Sequence, residues 1–135
     1  MQSRVKWVEG MSFLGQSASG HSIVMDGNGG STAPSPMEMV LMAAGGCSSV
    51  DVVDGLKMAD QKVSGCEATL SAERREQAPR YFTHVNIHFT VTGKAVDHQV
   101  VERVVADSLE KYCSVCLMLS NGDVEVTHSV EVVEE

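Results

Sequence analysis

One stretch of the chain, residues 34–51, constrains the fold more than any other part of the sequence. Ser35 directly precedes Pro36, which predicts Ser35 as the N-cap and Pro36 as the first residue of a helix. Between that proline and Val50 the only charged side chain is Glu38. A helix that is apolar all round is covered on every side, so we expect this helix to be buried.

The same stretch places Gly45 and Gly46 directly before Cys47. Two glycines inside a helix cost about 2 kcal/mol relative to alanine, so their presence calls for a reason. A local break in the helix, offering free backbone N–H groups to a Cys47 thiolate, is our hypothesis. An unreactive, buried Cys47 is the alternative, because free cysteine is among the most buried residue types.

Length and charge limit what the protein can be. A chain of 135 residues is expected to form one domain, residues 1–135. The net charge of −8 argues against nucleic acid or anionic membranes as partners. No apolar segment follows Arg4 and Lys6, and no apolar run approaches 18 residues, so neither a signal peptide nor a membrane span is expected. We therefore predict a cytoplasmic protein whose four cysteines are reduced, catalytic or metal-binding.

Hydrophobic periodicity predicts the order βββ-α-ββ-α-β. The predicted elements are strands in residues 3–8 and 21–26 within a small N-terminal antiparallel meander, a helix to about residue 58, alternating strands over 66–73 and 84–91, a helix capped by Asp97, and a last strand over 124–132. This order with long antiparallel strands is typical of the α+β class. Beyond Cys47 the first helix becomes amphipathic, and we expect Val50, Val53 and Met58 to face the core.

The other cysteines divide by position. Cys66 falls on the apolar face of its strand and is expected to be inert. The hydrophobic pattern predicts that the second helix ends at the segment Cys113-Ser114-Val115-Cys116. A helix C-terminus raises a thiol pKa, which makes Cys113 a poor first attacker but a suitable resolving thiol. The CxxC spacing also fits a redox motif, although such a motif normally opens a helix, or half of a zinc site that would need all four cysteines to converge.

Histidines and arginines provide fewer candidates. His84 and His88 share a strand face about 13 Å apart, too far to hold one metal, and are expected to be solvated. His128 is expected to be a hydrogen-bonded core histidine. The charged turn over residues 73–80 contains the one local concentration of arginine, so it is the best source of a cation for a thiolate. Its arginines are Arg74, Arg75 and Arg80.

Three motifs taken together resemble the OsmC/Ohr family, and in particular its YhfA-like branch. They are Ser35-Pro36-Met37-Glu38, Ala43-Ala44-Gly45-Gly46-Cys47 and Glu110-Lys111-Tyr112-Cys113-Ser114-Val115. The resemblance covers essentially the whole chain. It implies the OsmC-like fold: an intertwined homodimer of α+β protomers, in which antiparallel sheets pack around two long central helices, with active sites at the dimer interface.

The resemblance also implies roles for individual residues. Better-known members reduce organic hydroperoxides with a peroxidatic cysteine, matched here by Cys47, and a resolving cysteine, matched by Cys113. An arginine and a glutamate activate the first thiol in those members. The position that matches their glutamate is Met37 in this chain, and Glu38 follows it. Their activating arginine comes from the N-terminal strands, but residues 7–30 of this chain contain no arginine or lysine.

We therefore predict a dimeric hydroperoxide reductase that uses a small hydroperoxide and a dithiol reductant and needs no cofactor or metal. Its predicted site contains Cys47, Cys113 and Glu38, with Arg74, Arg75 or Arg80 as the activating cation. Cys116 adds a third thiol. The alternative is a non-enzymatic protein of the same fold that binds a small hydrophobic or thiol-bearing ligand in a methionine-rich cleft.

Overall fold

The computed structural model describes the whole chain, residues 1–135. Contacts within the chain group it into two compact units, Met1–Val40 and Leu41–Glu135. Each unit contains one three-stranded sheet. The mixture of largely antiparallel sheets and helices confirms the predicted α+β class.

The first unit contains the small antiparallel meander that the sequence predicts. Strands β1 (Ser3–Glu9), β2 (Ser12–Ser17) and β3 (Ser22–Asp26) pair in sequence order. Phe13 of β2 lies opposite Met25 of β3. The meander prediction is therefore confirmed.

Asp26 organises the loop that follows β3. Its carboxylate accepts hydrogen bonds from the backbone N–H of Asn28 at 2.7 Å and of Thr32 at 2.9 Å, and from the Ser31 hydroxyl at 2.9 Å. These bonds, led by the one from Thr32, lower the pKa of Asp26 to about 2. The loop therefore stays closed around an ionised carboxylate at neutral pH.

The first helix, α1 (Pro36–Met58), starts where the sequence predicts. The Ser35 hydroxyl accepts the N–H of Glu38 at 3.1 Å, and the Glu38 carboxylate accepts the N–H of Ser35 at 2.9 Å. This reciprocal pair is a capping box, which satisfies two backbone donors at the helix start.

The second unit contains a sheet of long strands. Strand β4 (Lys62–Arg74) pairs antiparallel with β5 (Phe82–Lys94), and β5 pairs with β6 (Glu125–Glu134). The β5–β6 pairing is parallel, so the expectation of antiparallel strands throughout was wrong. The chain returns through helices between β5 and β6, and such a crossover is what a parallel pair requires.

Strand alternation is confirmed in this sheet. From Val85 to Gly93 every second residue of β5 is buried, and the intervening residues are only partly covered. The buried side chains of β5 are Phe82, Val85, Ile87, Phe89 and Val91. Helices contribute Leu56, Val101 and Val105, all completely buried, to the core of the same unit.

The second helical region differs from the prediction. Helix α2 (His98–Asp107) starts at Asp97, whose carboxylate accepts the Gln99 N–H at 2.9 Å, which confirms the predicted cap. A π-helical turn, Ser108–Tyr112, follows it, and a third helix, α3 (Ser114–Asn121), follows that. The second long central helix is therefore not one continuous α-helix.

Burial of α1 is one-sided in the single chain, so the prediction of a helix covered all round was wrong there. Within residues 41–58 the buried positions are Ala44, Gly45, Ser48, Val52 and Leu56. Val50 is 69% exposed and Met58 is 79% exposed, so these two residues do not face the core of the chain. The buried set follows a spacing of four residues, which places it along one side of the helix.

By length and composition, α1 is apolar enough to cross a membrane, although the sequence pattern was expected to contain no such stretch. The core helices of soluble proteins meet the same criterion, so this property is weak evidence for a membrane span.

Candidate functional site

Cys47 lies on an unbroken part of α1. The helix runs through Gly45 and Gly46 without interruption, so the predicted local break is absent. Gly45 has another explanation: a Cβ atom there would lie 2.6 Å from Cδ1 of Leu70 on β4. Gly45 therefore allows the helix to approach the sheet closely, whereas a Cβ at Gly46 would meet open space. Cys47 itself is half-buried.

Cys113 lies at the junction between the π-helical turn and α3. Its N–H donates to the Ser108 carbonyl at 2.6 Å, which closes the π-helical turn. Its own backbone is extended, with φ −71° and ψ 106°, and this ends the helical path. Its sulfur then accepts the N–H of Cys116 at 3.3 Å, so Cys113 is the N-cap of α3. The expectation that this CxxC segment closes a helix was therefore wrong, because the segment opens one.

Burial dominates the chemistry of Cys113. The residue is completely buried, and desolvation of the thiolate raises the pKa of Cys113 far above its ordinary value. Hydrogen bonding with the thiols of Cys116 and Cys47 raises this pKa further. The direction agrees with the sequence prediction, but the first cause is burial rather than the end of a helix dipole. The thiol of Cys47 is thus among the groups that influence the pKa of Cys113.

Cys116 links α3 to α1. Its thiol donates to the carbonyl of Ala44 at 3.8 Å, and the residue is completely buried. Burial is the main cause that raises the pKa of Cys116; a hydrogen bond with Cys113 partly offsets it, and the nearby Cys47 and Asp51 raise it further. Three of the four cysteines, Cys47, Cys113 and Cys116, therefore form one group, which we call the cysteine cluster.

Two serines that the sequence analysis did not consider hold the elements around the cluster. The Ser48 hydroxyl donates to the Ala44 carbonyl at 2.7 Å, the same carbonyl that accepts from Cys116. The Ser108 hydroxyl donates to the Asp51 carboxylate at 3.0 Å, which connects the π-helical turn to α1. Both serines are buried. Ser48 could have been found from the sequence, because it is a polar residue in the largely apolar stretch that forms α1.

A cavity of about 570 Å³ lies along α1 beyond the cluster. Asp51, which accepts from Ser108, and Tyr112, which precedes Cys113, both line it. The complete lining is Asp51, Asp54, Gly55, Met58, Ala59, Arg103, Val104, Asp107 and Tyr112. The cavity therefore combines an apolar floor with acidic side chains and one arginine.

The three candidate arginines are held in the β4–β5 loop. Arg74 Nε donates to the Arg80 carbonyl at 2.6 Å, and Arg80 Nε donates to the Arg75 carbonyl at 2.9 Å. The Arg75 guanidinium lies 4.9 Å from the ring centroid of Tyr81. The structure thus uses these arginines to order their own loop and does not bond them to the cysteine cluster.

Glu38 is part of the first unit and caps α1. The N–H of Ser35 is the main cause that lowers the pKa of Glu38, and the Ser35 side chain adds to it. The carboxylate also lies over Gly30, where any Cβ atom would collide with it. The sequence Ser35-Pro36-Met37-Glu38 has the spacing of a capping box, so this structural role was readable from the sequence.

The remaining candidates lie outside the cluster. Burial raises the pKa of Cys66, which agrees with the inert role predicted for it. His128 Nε2 lies 2.6 Å from a carboxylate oxygen of Glu102, which confirms a hydrogen-bonded histidine. His84 and His88 were expected to be solvated, but each bonds a hydroxyl of β6 at 2.7 Å. No group of three or more His, Cys, Asp or Glu side chains is placed to hold a metal ion.

Comparison with known proteins identifies relatives over the whole chain. A family model described as OsmC-like protein matches residues 27–129. Protein YhfA of Escherichia coli K12 is 63% identical over 133 residues, which cover 98% of each chain. A hypothetical protein of Aquifex aeolicus VF5 has a crystal structure with a TM-score of 0.88 at 29% identity, covering 99% of this chain and 96% of that one.

A more distant structure shares the fold. It is a crystal structure described as an organic hydroperoxide resistance protein OsmC from Legionella pneumophila. Its TM-score is 0.72 at 17% identity, with 97% of each chain covered.

Proposed function

Because the chain belongs to the OsmC-like protein family, and within it to the YhfA-like branch, we propose that it is a thiol-dependent organic hydroperoxide reductase. Cys47 is the peroxidatic cysteine and Cys113 is the resolving cysteine. The observation that carries this proposal is the pairing of a half-buried thiol on α1 with a completely buried thiol at the start of α3. The fold neighbour described as an organic hydroperoxide resistance protein agrees with it.

The first half-reaction takes place at Cys47, the thiol of the pair that solvent can reach. Its thiolate attacks the terminal oxygen of the hydroperoxide, so an S–O bond forms and the O–O bond breaks. The organic fragment leaves as an alkoxide, takes a proton from solvent and departs as an alcohol. Cys47 is then a sulfenic acid.

The second half-reaction uses Cys113. Its sulfur attacks the sulfenic sulfur of Cys47, a disulfide forms, and the hydroxyl group leaves as water with the proton of the Cys113 thiol. Burial keeps Cys113 protonated beforehand, so it does not compete with Cys47 for hydroperoxide. A dithiol reductant then returns both thiols by exchange.

Activation of Cys47 needs groups that stabilise a thiolate. We assign this role to one of Arg74, Arg75 or Arg80 as the cation, whereas the Glu38 carboxylate caps the start of α1. No hydrogen bond joins these arginines to the cysteine cluster of their own chain, so we assign the cation to the β4–β5 loop of a second copy. Replacing each arginine by glutamine should identify the donor through the loss of kcat/KM.

A homodimer provides that second copy. The apolar side of α1 that the chain leaves uncovered includes Val50, at 69% exposed, and Met58, at 79% exposed. Exposed apolar residues in one patch are typical of interaction sites. Sedimentation should show a dimer for the native protein and a monomer for Val50→Asp. A native protein that sediments as a monomer at micromolar concentration contradicts this assembly.

The reaction itself is tested by comparing the native chain with Cys47→Ser. The native protein should consume an organic hydroperoxide in the presence of a dithiol, and the variant should lose at least about 100-fold in rate, because its hydroxyl cannot replace the thiolate. Cys66→Ser, a change at a thiol outside the cluster, is the matched control and should retain the native rate. Equal rates for the native protein and Cys47→Ser rule out the proposal.

A second function is favoured by the 570 Å³ cavity next to the cluster. Met58, Ala59 and Val104 give it an apolar part, so a small hydrophobic ligand is the alternative to a peroxide substrate. Native mass spectrometry of freshly purified protein distinguishes the two functions. A retained small molecule supports binding, whereas loss of two hydrogens on peroxide treatment supports a disulfide between Cys47 and Cys113.

The setting of this activity follows from charge and from cysteine chemistry. We infer a cytoplasmic protein, because a thiol peroxidase depends on a reducing compartment to regenerate its thiols. The net charge of −8 disfavours nucleic acid and anionic lipid surfaces as partners. Fractionation of cells that express the protein checks the location.

A further inference from the structure

The third thiol of the cluster has no role in the two-cysteine reaction. Cys116 follows Cys113 by three residues and lies in the first turn of α3. Its backbone N–H donates to the Cys113 sulfur at 3.3 Å. An N-cap cysteine followed by a second cysteine in the first helical turn is the arrangement of a CxxC redox pair that opens a helix.

Cys113 is influenced by both other thiols of the cluster. Its sulfur accepts the N–H of Cys116 at 3.3 Å, and the thiols of Cys116 and Cys47 both contribute to its raised pKa. Cys116 is held on its side by donation to the Ala44 carbonyl of α1. The sulfur of Cys113 is therefore placed to bond with either neighbour.

We propose that Cys113 and Cys116 form a second redox site, in which Cys116 displaces Cys47 from the Cys47–Cys113 disulfide. This inference rests on the proposed function, since the hydroperoxide reaction supplies that first disulfide. The oxidised form that accumulates is a Cys113–Cys116 disulfide, and Cys47 is returned to the thiol state while the chain is still oxidised.

The step is a thiol–disulfide exchange without net oxidation. The Cys116 sulfur, as thiolate, attacks the Cys113 sulfur, so the Cys113–Cys116 bond forms as the Cys47–Cys113 bond breaks. Cys47 leaves as a thiolate and takes up the proton that Cys116 lost. The oxidant is the disulfide made in the previous step, so no further reagent is needed.

The environment of the three sulfurs favours this direction. Cys113 and Cys116 are completely buried, whereas Cys47 is half-buried. In the Cys113–Cys116 disulfide neither buried sulfur can ionise, and the exchange releases Cys47, the sulfur that solvent can reach.

The consequence is measurable without a reductant. Once returned to the thiol state, Cys47 can react with a second hydroperoxide, and it then remains a sulfenic acid because both partners are tied up. The native chain should therefore consume about two equivalents of hydroperoxide per chain, while a chain restricted to one disulfide consumes about one. The extra equivalent should appear as a dimedone adduct on Cys47.

The experiment uses the full chain in a Cys66→Ala background, so that only the cluster contributes thiols. Stoichiometry, dimedone labelling and peptide mapping of the disulfide are compared with Cys116→Ala, and with Cys116→Ser, which retains a donor for Ala44. Both variants should halve the hydroperoxide consumed, show a Cys47–Cys113 disulfide and carry no label. A background chain that stops at one equivalent with Cys47 and Cys113 joined overturns the exchange.

A second measurement separates this inference from the proposed function. Cys47→Ser cannot reduce hydroperoxide, but diamide should still close its Cys113–Cys116 pair with the loss of two hydrogens, and Cys47→Ser with Cys116→Ala should lose none. If diamide leaves the single variant in the dithiol form, the second redox site is refuted. If the pair closes but the native chain consumes no hydroperoxide, the peroxidase function has failed instead, and the exchange with it.

Discussion

The two sides of α1 have different surroundings. Over residues 41–58 one side packs within the chain and is completely or almost completely buried. It consists of Ala44, Gly45, Ser48, Val52 and Leu56. The opposite side is exposed and mixes apolar with charged residues: Met42, Gly46, Val50, Asp54, Lys57 and Met58.

This difference explains where the cysteine cluster lies. Cys116 and Ser48 both donate to Ala44, on the packed side, whereas Cys47 is only half-buried. The covered side of α1 thus holds the buried Cys116 thiol, while the helix leaves its own thiol within reach of solvent. The uncovered apolar side is the surface that we assign to the second copy.

The largest effect should come from trimming the same residue type on each side. Val52→Ala removes methyl groups from a completely buried position and should lower the free energy of unfolding by about 2 kcal/mol. Val50→Ala, at a position 69% exposed, should cost less than about 0.5 kcal/mol in dilute monomer. Urea unfolding at two protein concentrations measures both. Equal costs at low concentration contradict the one-sided packing, and a cost for Val50→Ala that grows with concentration supports the dimer.

The adjacent glycines give the next comparison. Gly46→Ala adds a methyl group in open space and should stabilise the helix by about 1 kcal/mol through helix propensity. Gly45→Ala gains the same propensity but forces Leu70 to move, so we expect a net loss of about 1 kcal/mol. Thermal unfolding of the two variants beside the native chain tests this. If Gly46→Ala is destabilising instead, a second copy packs closely against that side.

The strands and helix caps were predictable from the sequence, but the side of α1 that packs within the chain was not. Period-two alternation predicted β4 and β5 correctly, because one face of each strand meets the core and the other meets solvent. The caps at Ser35 and Asp97 were predicted correctly as well, because capping is local chemistry. The part of α1 before Cys47 is apolar on both sides, and the amphipathic pattern beyond it pointed to Val50 and Met58, which are exposed. The residues that pack within the chain could therefore not be identified from α1 alone.

The candidate site was predictable to a similar degree. The pairing of Cys47 with Cys113 followed from motifs and stays a prediction, although Cys47 is one of the groups that raise the pKa of Cys113. The helix break was wrong because the reason for Gly45 is a contact with Leu70, which is distant in sequence. The direction of the CxxC segment was wrong because a π-helical turn ends the helical path at Cys113, and that turn has no simple sequence signal.

A smaller effect on the free energy of unfolding should follow from removing a hydrogen bond between α1 and the π-helical turn. Ser108→Ala removes the hydroxyl that donates to Asp51 at 3.0 Å, and should cost about 1 kcal/mol of unfolding free energy. Ser114→Ala changes an exposed serine in the next turn and should be nearly neutral. Chemical unfolding at neutral pH compares the pair. Indistinguishable stabilities would show that this bond does not hold the π-helical turn against α1.

The smallest effect concerns pH and separates buried from accessible thiols. Folding raises the pKa of Cys116, so the folded chain holds its proton more tightly than the unfolded chain, whose thiol titrates near the ordinary value of 9.0. The resulting stabilisation is complete below pH 9 and is lost as pH rises above it. Between pH 7 and pH 10 the stability advantage of the native chain over Cys116→Ala should therefore shrink, by at most about 1 kcal/mol. Urea unfolding at both pH values measures this change, and comparing the two chains cancels the titration of lysines and tyrosines that they share. An advantage that stays constant to pH 10 means that Cys116 is not desolvated by its contact with the packed side of α1.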